Sequence, residues 1–207
     1  LETMGIDIDP DNIYTAAAAA CDYVMEHFAS ATHKPRIFNL ATQSCHEMLE
    51  GSVDWVGAMD EPCDAVIIAG PLNKYANFER QRIALELARR GARIIGLCAD
   101  RVYPSPRGIE FGAGSLTWMI AYGANVEPIF CGKPEEVFFR ELCTRLDVRT
   151  DACLLIGDNL ESDIMGAKRV GMRTILTLTG VARRSDLESL AAECQPDLVI
   201  EKLTELL

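Results

Sequence analysis

The 207-residue sequence predicts an α/β protein with parallel sheet, and three observations carry that prediction. Short apolar runs rich in β-branched residues alternate with longer amphipathic stretches. The short runs are apolar throughout instead of alternating with polar residues, the pattern of parallel strands covered on both faces. Glycines stand where the amphipathic stretches should stop, at Gly91, Gly123 and Gly171.

Taken in order, Thr15–Phe28 reads as a helix because its Ala run is a strong helix former. Arg36–Leu40 follows as a strand, Gln43–Leu49 as a helix, Ala65–Ala69 as a strand and Asn77–Arg90 as a helix closed by Gly91. Arg93–Leu97 is the next strand. Between Cys98 and Gly114 the chain loses its periodicity, with Pro104, Pro106, Gly108 and Gly112. A long loop inside an α/β domain is either functional or a surface excursion with turn chemistry. Periodicity returns with a helix at Gly114–Tyr122, a strand at Glu127–Phe130 and a helix at Pro134–Leu146, where proline suits the first helical position. Strands at Ala152–Ile156, Arg173–Leu178 and Leu198–Ile200 then enclose helices at Ser162–Val170 and Ser185–Glu193.

Composition narrows the function. Thirty-one acidic against 20 basic residues give a formal charge of -11, with no Lys/Arg block, so a polyphosphate backbone is repelled and nucleic acid is excluded as a partner. No apolar run approaches the ~20 residues that cross a bilayer, and no basic-then-apolar leader opens the sequence, so the expectation is a cytoplasmic protein with no membrane partner. The eight cysteines include no C-x-x-C pair and several sit in apolar runs, which reads as free thiols in a reducing compartment. His27, His33 and His46 lack metal-site spacing.

In open α/β sheets, ligands bind beyond the carboxyl ends of the strands. Ala152–Ile156 runs into Gly157-Asp158-Asn159-Leu160-Glu161-Ser162-Asp163. Gly157 permits a sharp turn, Asp158 projects from the strand end, and Asp163 can face back from the next helix. Two hard oxygen ligands so spaced suit Mg²⁺. The plainer reading is that Asp158, Asn159 or Ser162 merely caps the helix. At a second strand end, Cys131-Gly132-Lys133-Pro134 sets Lys133 between strand and helix, where a phosphate would lie; alone, it reads as a solvated lysine. Lys133 and the Asp158/Asp163 pair fall on two successive strand–helix units.

With Leu176-Thr177-Leu178-Thr179-Gly180-Val181, these segments closely resemble the haloacid-dehalogenase-like (HAD) phosphatases, in the NagD-like subclass IIA that includes pyridoxal phosphate and phosphoglycolate phosphatases. The resemblance extends along the chain. Ile13-Tyr14-Thr15-Ala16 is similar to the strand leading into the subclass's cap, and Asp100 with Gly112-Ala113-Gly114-Ser115-Leu116 to its cap loop and following helix. It implies a Rossmann-like HAD core with an inserted α/β cap: residues 1–15 a core remnant, 16–126 the cap and 127–207 the C-terminal half of the core.

The resemblance also implies roles. Lys133 steadies the attacking carboxylate and the transferring phosphoryl group, Asp158 binds Mg²⁺ directly, and Asp163 orients the metal shell. Asp100 and Tyr103 present the cap loop to the substrate, although Tyr103 could equally pack beside Pro104. The implied reaction is Mg²⁺-dependent hydrolysis of a small phosphorylated metabolite through an aspartyl-phosphate, by a protein that pairs as a homodimer. The sequence departs from the family at one point. The nucleophilic aspartate belongs to a D-x-D-G segment, whereas Asp7-Ile8-Asp9 is followed by Pro10. The chain reads as a member lacking roughly the first 40–60 residues, comparable to one or two strand–helix units, and inactive by itself. Unpaired strand edges and bare apolar faces are then expected around Ile156 and Leu176.

Two other readings compete. One is a non-catalytic metabolite-binding or regulatory protein with a vestigial core, which the missing nucleophile favours and the retained Lys133, Asp158 and Asp163 oppose. The other is a dinucleotide-binding domain, prompted by Gly112-Ala113-Gly114 but lacking the third glycine.

Overall fold

The computed structural model describes residues 5–70 and 76–206, so the first four residues of the expected core remnant lie outside it. Two compact units divide the chain, Leu1–Gly132 and Lys133–Leu207.

In the first unit, Thr15 opens α1 (Ala16–Phe28), its hydroxyl oxygen accepting the Ala18 N–H at 3.2 Å. β1 (Arg36–Leu40), α2 (Gln43–Leu49), β2 (Asp54–Trp55), β3 (Ala65–Ile68), α3 (Phe78–Arg89) and β4 (Arg93–Gly96) follow. A hairpin of β5 (Val102–Ser105) and β6 (Gly108–Phe111) leads to α4 (Ala113–Ala124) and β7 (Ile129–Phe130). The main sheet is parallel, in the order β2-β1-β3-β4-β7. All four residues of β3 are buried, which is why that strand reads as apolar without alternation. Phe38, Leu40, Val66, Ile68, Ile94, Leu87 and Ile120 pack into one core from sheet and helices.

The second unit runs α5 (Glu136–Leu146), β8 (Leu154–Gly157), a wide π-type turn at Leu160–Met165, α6 (Gly166–Arg169), β9 (Arg173–Thr177) and β10 (Leu198–Ile200). Its parallel sheet has the order β10-β9-β8. Ile164, Leu176 and Ala182 form its small core, flanked by Leu155, Leu160, Leu178, Leu187 and Val199. Asp197 staples the β10 entry to β9, its carboxylate accepting the Thr174 N–H at 2.7 Å and the Thr174 hydroxyl at 3.0 Å.

Each strand expected from the apolar runs is present, within two residues of its expected ends. The strand expected at Glu127–Phe130 pairs with β4, so it belongs to the first unit's sheet. Ile13–Thr15 forms no strand, because Thr15 is committed to capping α1. The irregular stretch after Cys98 contains the β5–β6 hairpin, and Pro134 precedes the helix, which starts at Glu136. The helix expected at 185–193 is two short 3₁₀ turns, Arg184–Ser189 and Ala192–Cys194. Edge strand β8 does expose apolar side chains, Leu154 at 50% and Ile156 at 43%, but Leu176 on the central strand is fully buried.

All eight cysteines are free, four of them buried. The histidines are engaged locally: His33 with Asp64, His46 stacked on Trp55 and His27 on Tyr23. No helix among the described residues is long and apolar enough to cross a membrane.

Candidate active site

Past the carboxyl end of β8, three polar residues, Asp158, Asn159 and Asp163, divide the work. Asn159 is the helix cap: its side-chain oxygen accepts the N–H groups of Glu161 and Ser162, each at 3.0 Å. Its backbone carbonyl takes both Asp163 N–H (3.0 Å) and Ile164 N–H (3.2 Å), which widens this turn. Asp158 is thereby released from capping. It is tied instead to the loop after β9, its Oδ2 accepting the Val181 N–H at 2.9 Å and its carbonyl the Ala182 N–H at 2.9 Å.

Asp163 folds back beneath this loop. Its Oδ1 accepts from Lys133 Nζ at 2.6 Å and its Oδ2 from the Asn159 N–H at 3.1 Å. The residue is only 5% exposed, whereas the Lys133 side chain is 42% exposed. A carboxylate this buried persists because a cation and a backbone donor satisfy it, one on each oxygen. Lys133 keeps further N–H donors to offer an incoming anion.

Two glycines make the arrangement sterically possible. Gly157 does not have a positive φ, so its contribution is room and not the sharp turn expected of it: an added Cβ would lie 2.5 Å from Asp163 Cβ. At Gly180, a Cβ would run into the Asp158 carboxylate. The support that Gly180 and Val181 give Asp158 was missed in the sequence, where the only signal is a glycine shortly after an apolar strand.

The structure thus brings Lys133, Asp158 and Asp163 together in the second unit. Asp100 and Tyr103 belong to the first. Asp100 is exposed just past β4, its carbonyl accepting the Gly114 N–H at 3.0 Å. Tyr103 lies on β5 opposite Glu110 and is 40% exposed. The Gly112-Ala113-Gly114 segment has a structural explanation. Gly112 and Gly114 donate their N–H groups to the Arg101 and Asp100 carbonyls, at 2.9 and 3.0 Å, and side chains there would strike the Asp100 and Ala99 carbonyls. Those amides are committed to the protein's own backbone, which removes the basis for the dinucleotide reading.

A pair of carboxylates at the end of a parallel strand, with an ammonium against one of them, is chemistry for a hard cation and a phosphate. The donor set fits Mg²⁺, which takes few protein oxygens and keeps waters and substrate oxygens. Asp158 fits direct ligation from the carboxylate oxygen that Val181 does not occupy; Asp163, with both oxygens engaged, fits the orienting part.

Comparison with known proteins points the same way. Residues 130–206 match the HAD-hydrolase-like family model. An acid sugar phosphatase of Staphylococcus epidermidis is 30% identical over 189 residues, covering 91% of this chain and 70% of that protein. A p-nitrophenyl phosphatase from Archaeoglobus fulgidus superposes with a TM-score of 0.84 at 26% identity, over all of this chain and 77% of that one. A glycerol phosphate phosphatase from Mycobacterium tuberculosis, solved in complex with magnesium, shares the fold with a TM-score of 0.85 at 24% identity, over all of this chain and 61% of that one. The chain belongs to the HAD-like phosphatases, the phosphomonoester hydrolases of the NagD-like subclass IIA.

Proposed function

We propose that the second unit supplies the lysine and metal-loop part of a Mg²⁺-dependent site that hydrolyses a small phosphorylated metabolite. The observation that carries this is the 2.6 Å Lys133–Asp163 ion pair beneath a loop that frees Asp158 from capping. Mg²⁺ held by Asp158, with Asp163 orienting its shell, would supply charge that stabilises a transferring phosphoryl group. Lys133 binds a phosphate oxygen and withdraws charge as the ester bond breaks, while Asp163 fixes the position of its ammonium. In an acidic chain, this lysine is what makes an anionic substrate locally acceptable.

Residues 16–126 are assigned to the cap, with Asp100 and Tyr103 contacting the leaving group. A sugar phosphate is the first candidate substrate, since the curated relative at 30% identity is named for that class. Phosphoglycolate, nucleotides and pyridoxal phosphate are the others to screen. The aspartyl-phosphate route requires a D-x-D-G aspartate, and no D-x-D-G occurs in these 207 residues. The second reading is a non-catalytic metabolite-binding or regulatory protein.

Calorimetric titration separates the two. The hydrolase site binds Mg²⁺, and orthophosphate binds more tightly once Mg²⁺ is present. Asp158→Asn should abolish the Mg²⁺ isotherm, and Lys133→Ala should weaken phosphate binding while Mg²⁺ still binds. Phosphate or metabolite binding that is indifferent to both Mg²⁺ and Asp158→Asn would establish the binding-protein reading instead. Release of p-nitrophenol from p-nitrophenyl phosphate by the 207-residue chain, lost in Asp158→Asn, would place the nucleophile within these residues.

A further inference from the structure

Away from the site, in the same unit, two thiols meet. Cys143 lies in the last turn of α5 and Cys153 immediately before β8, with their sulfurs 3.7 Å apart. They are ten positions apart in sequence and close a short loop that contains the left-handed Asp147 and the 3₁₀ turn Thr150–Ala152. The two are unequal. Cys143 is 4% exposed, while Cys153 is half-buried and donates its S–H to the Arg149 carbonyl at 3.4 Å. Elsewhere, Cys45 is fully buried and Cys21 is 5% exposed, out of reach of a dissolved oxidant.

We propose that Cys143 and Cys153 are a peroxide-oxidisable dithiol, with Cys153 the thiol that meets the oxidant and Cys143 the one that resolves it into an intramolecular disulfide. The Cys153 sulfur attacks one oxygen of hydrogen peroxide and the O–O bond breaks. The hydroxide that leaves takes the thiol proton as water, and Cys153 becomes a sulfenic acid. Cys143 then attacks the Cys153 sulfur, forming S–S as S–O breaks. The departing hydroxide takes the Cys143 proton as a second water. One peroxide and two thiols give one disulfide and two waters, and the two electrons come from the sulfurs.

Geometry supports this order. A disulfide needs the sulfurs at about 2.05 Å, so they must close by roughly 1.7 Å. That is the scale of a side-chain rotation when both residues border a connecting loop. Burial, the hydrogen bond that Cys143 donates to the Cys153 sulfur and the negative charge of a Cys153 thiolate push the Cys143 thiol up to about 11, so it waits protonated and is not itself the first target. The link would join the end of α5 to the start of β8, leaving Lys133 before α5 and Asp158 after β8 untouched. It is therefore independent of the phosphatase reading.

Peptide mapping of the wild-type chain after a brief treatment with a small molar excess of hydrogen peroxide tests it. Trypsin cuts between the two cysteines, so a disulfide appears as residues 141–145 cross-linked to residues 150–168, about 2 Da lighter than the two separate peptides and released by reductant. The thiol titre of the unfolded protein should fall by two. Cys143→Ser should leave Cys153 as a sulfenic acid that dimedone captures. Cross-links between other cysteines, or Cys153 carried on to sulfinic acid in the wild type with no 141–145 partner, would overturn the proposal. Cys21→Ser should leave the cross-link in place, and its loss there would likewise count against the pair.

Discussion

Gly157→Ala tests whether the metal loop is built around the missing side chain. The new Cβ would sit 2.5 Å from Asp163 Cβ and 2.7 Å from its Cγ and Oδ2, whereas carbon atoms rest at about 3.5–4.0 Å. About 1 Å of overlap must be absorbed. If Asp163 holds its place, the strain of an overpacked interior costs about 1–3 kcal/mol. If it moves, it surrenders the Lys133 and Asn159 bonds. The first is discounted to about 1 kcal/mol because Lys133 is partly solvated, and the second is worth about 1 kcal/mol. Both routes converge on about 2 kcal/mol, or roughly 1 M in the urea midpoint. Far-UV circular dichroism during a urea titration reads that shift, and Mg²⁺ calorimetry on the same variant should show weakened binding. A midpoint within about 0.2 M of wild type, together with unchanged Mg²⁺ affinity, would refute the close-approach account of this glycine.

Lys133→Met and Asp163→Asn should be coupled by about 1 kcal/mol in a double-mutant cycle read by urea denaturation, and additivity would deny that the pair contributes to stability. Leu176→Ala, at a fully buried site on the central strand of a small core, should cost about 2–5 kcal/mol, whereas Leu154→Thr on the exposed edge should stay within about 0.5 kcal/mol. Burial acts to raise the Asp64 carboxyl, but the Arg36 guanidinium at 2.6 Å, the Arg36 N–H and His33 outweigh it and hold it at about 2. Its folded value lies below the ordinary 3.8, so the stability it confers is present above about pH 4 and lost as pH falls from about 4 to about 2. Asp64→Asn should therefore flatten the acid-side decline in thermal midpoint over that window, and a decline matching wild type would contradict this account.

The sheet was legible because buried parallel strands have no solvent face, so β3 and β4 appear in sequence as Ala-Val-Ile-Ile and Arg-Ile-Ile-Gly. The β5–β6 hairpin was not, because Val102-Tyr103-Pro104-Ser105 contains a proline and its residues are mostly exposed, erasing the apolar signal. Nor does β2 have any, at two residues long. The 185–193 stretch alternates polar and apolar residues at helical spacing, yet the chain uses it as two 3₁₀ turns, a tertiary choice that local propensity does not encode. At the site, position beyond a strand end singled out Lys133, Asp158 and Asp163 as candidates, and the resemblance supplied the roles expected of them. Which of Asp158, Asn159 and Ser162 caps the turn was not legible, since Asp, Asn and Ser all cap well and only the hydrogen bonds of Asn159 decide it.

That decision has a further consequence for how the loop carries charge. Were Asp158 the cap, its carboxylate would be spent on backbone N–H groups at the start of the turn, and Asn159 would have no structural duty. With Asn159 as the cap, the neutral residue takes the geometric task and the two charged ones are left to face other partners. Asp158 is steadied from outside by Val181, with Gly180 making the space, and Asp163 is neutralised from below by Lys133. Each carboxylate is thus held by an element other than its own: the loop after β9 for one, the segment before α5 for the other. A loop held this way keeps its oxygens in place, because reorienting either one would break a bond to a separate part of the fold. The three sequence blocks that mark the family are, in physical terms, the two supports and the loop they support.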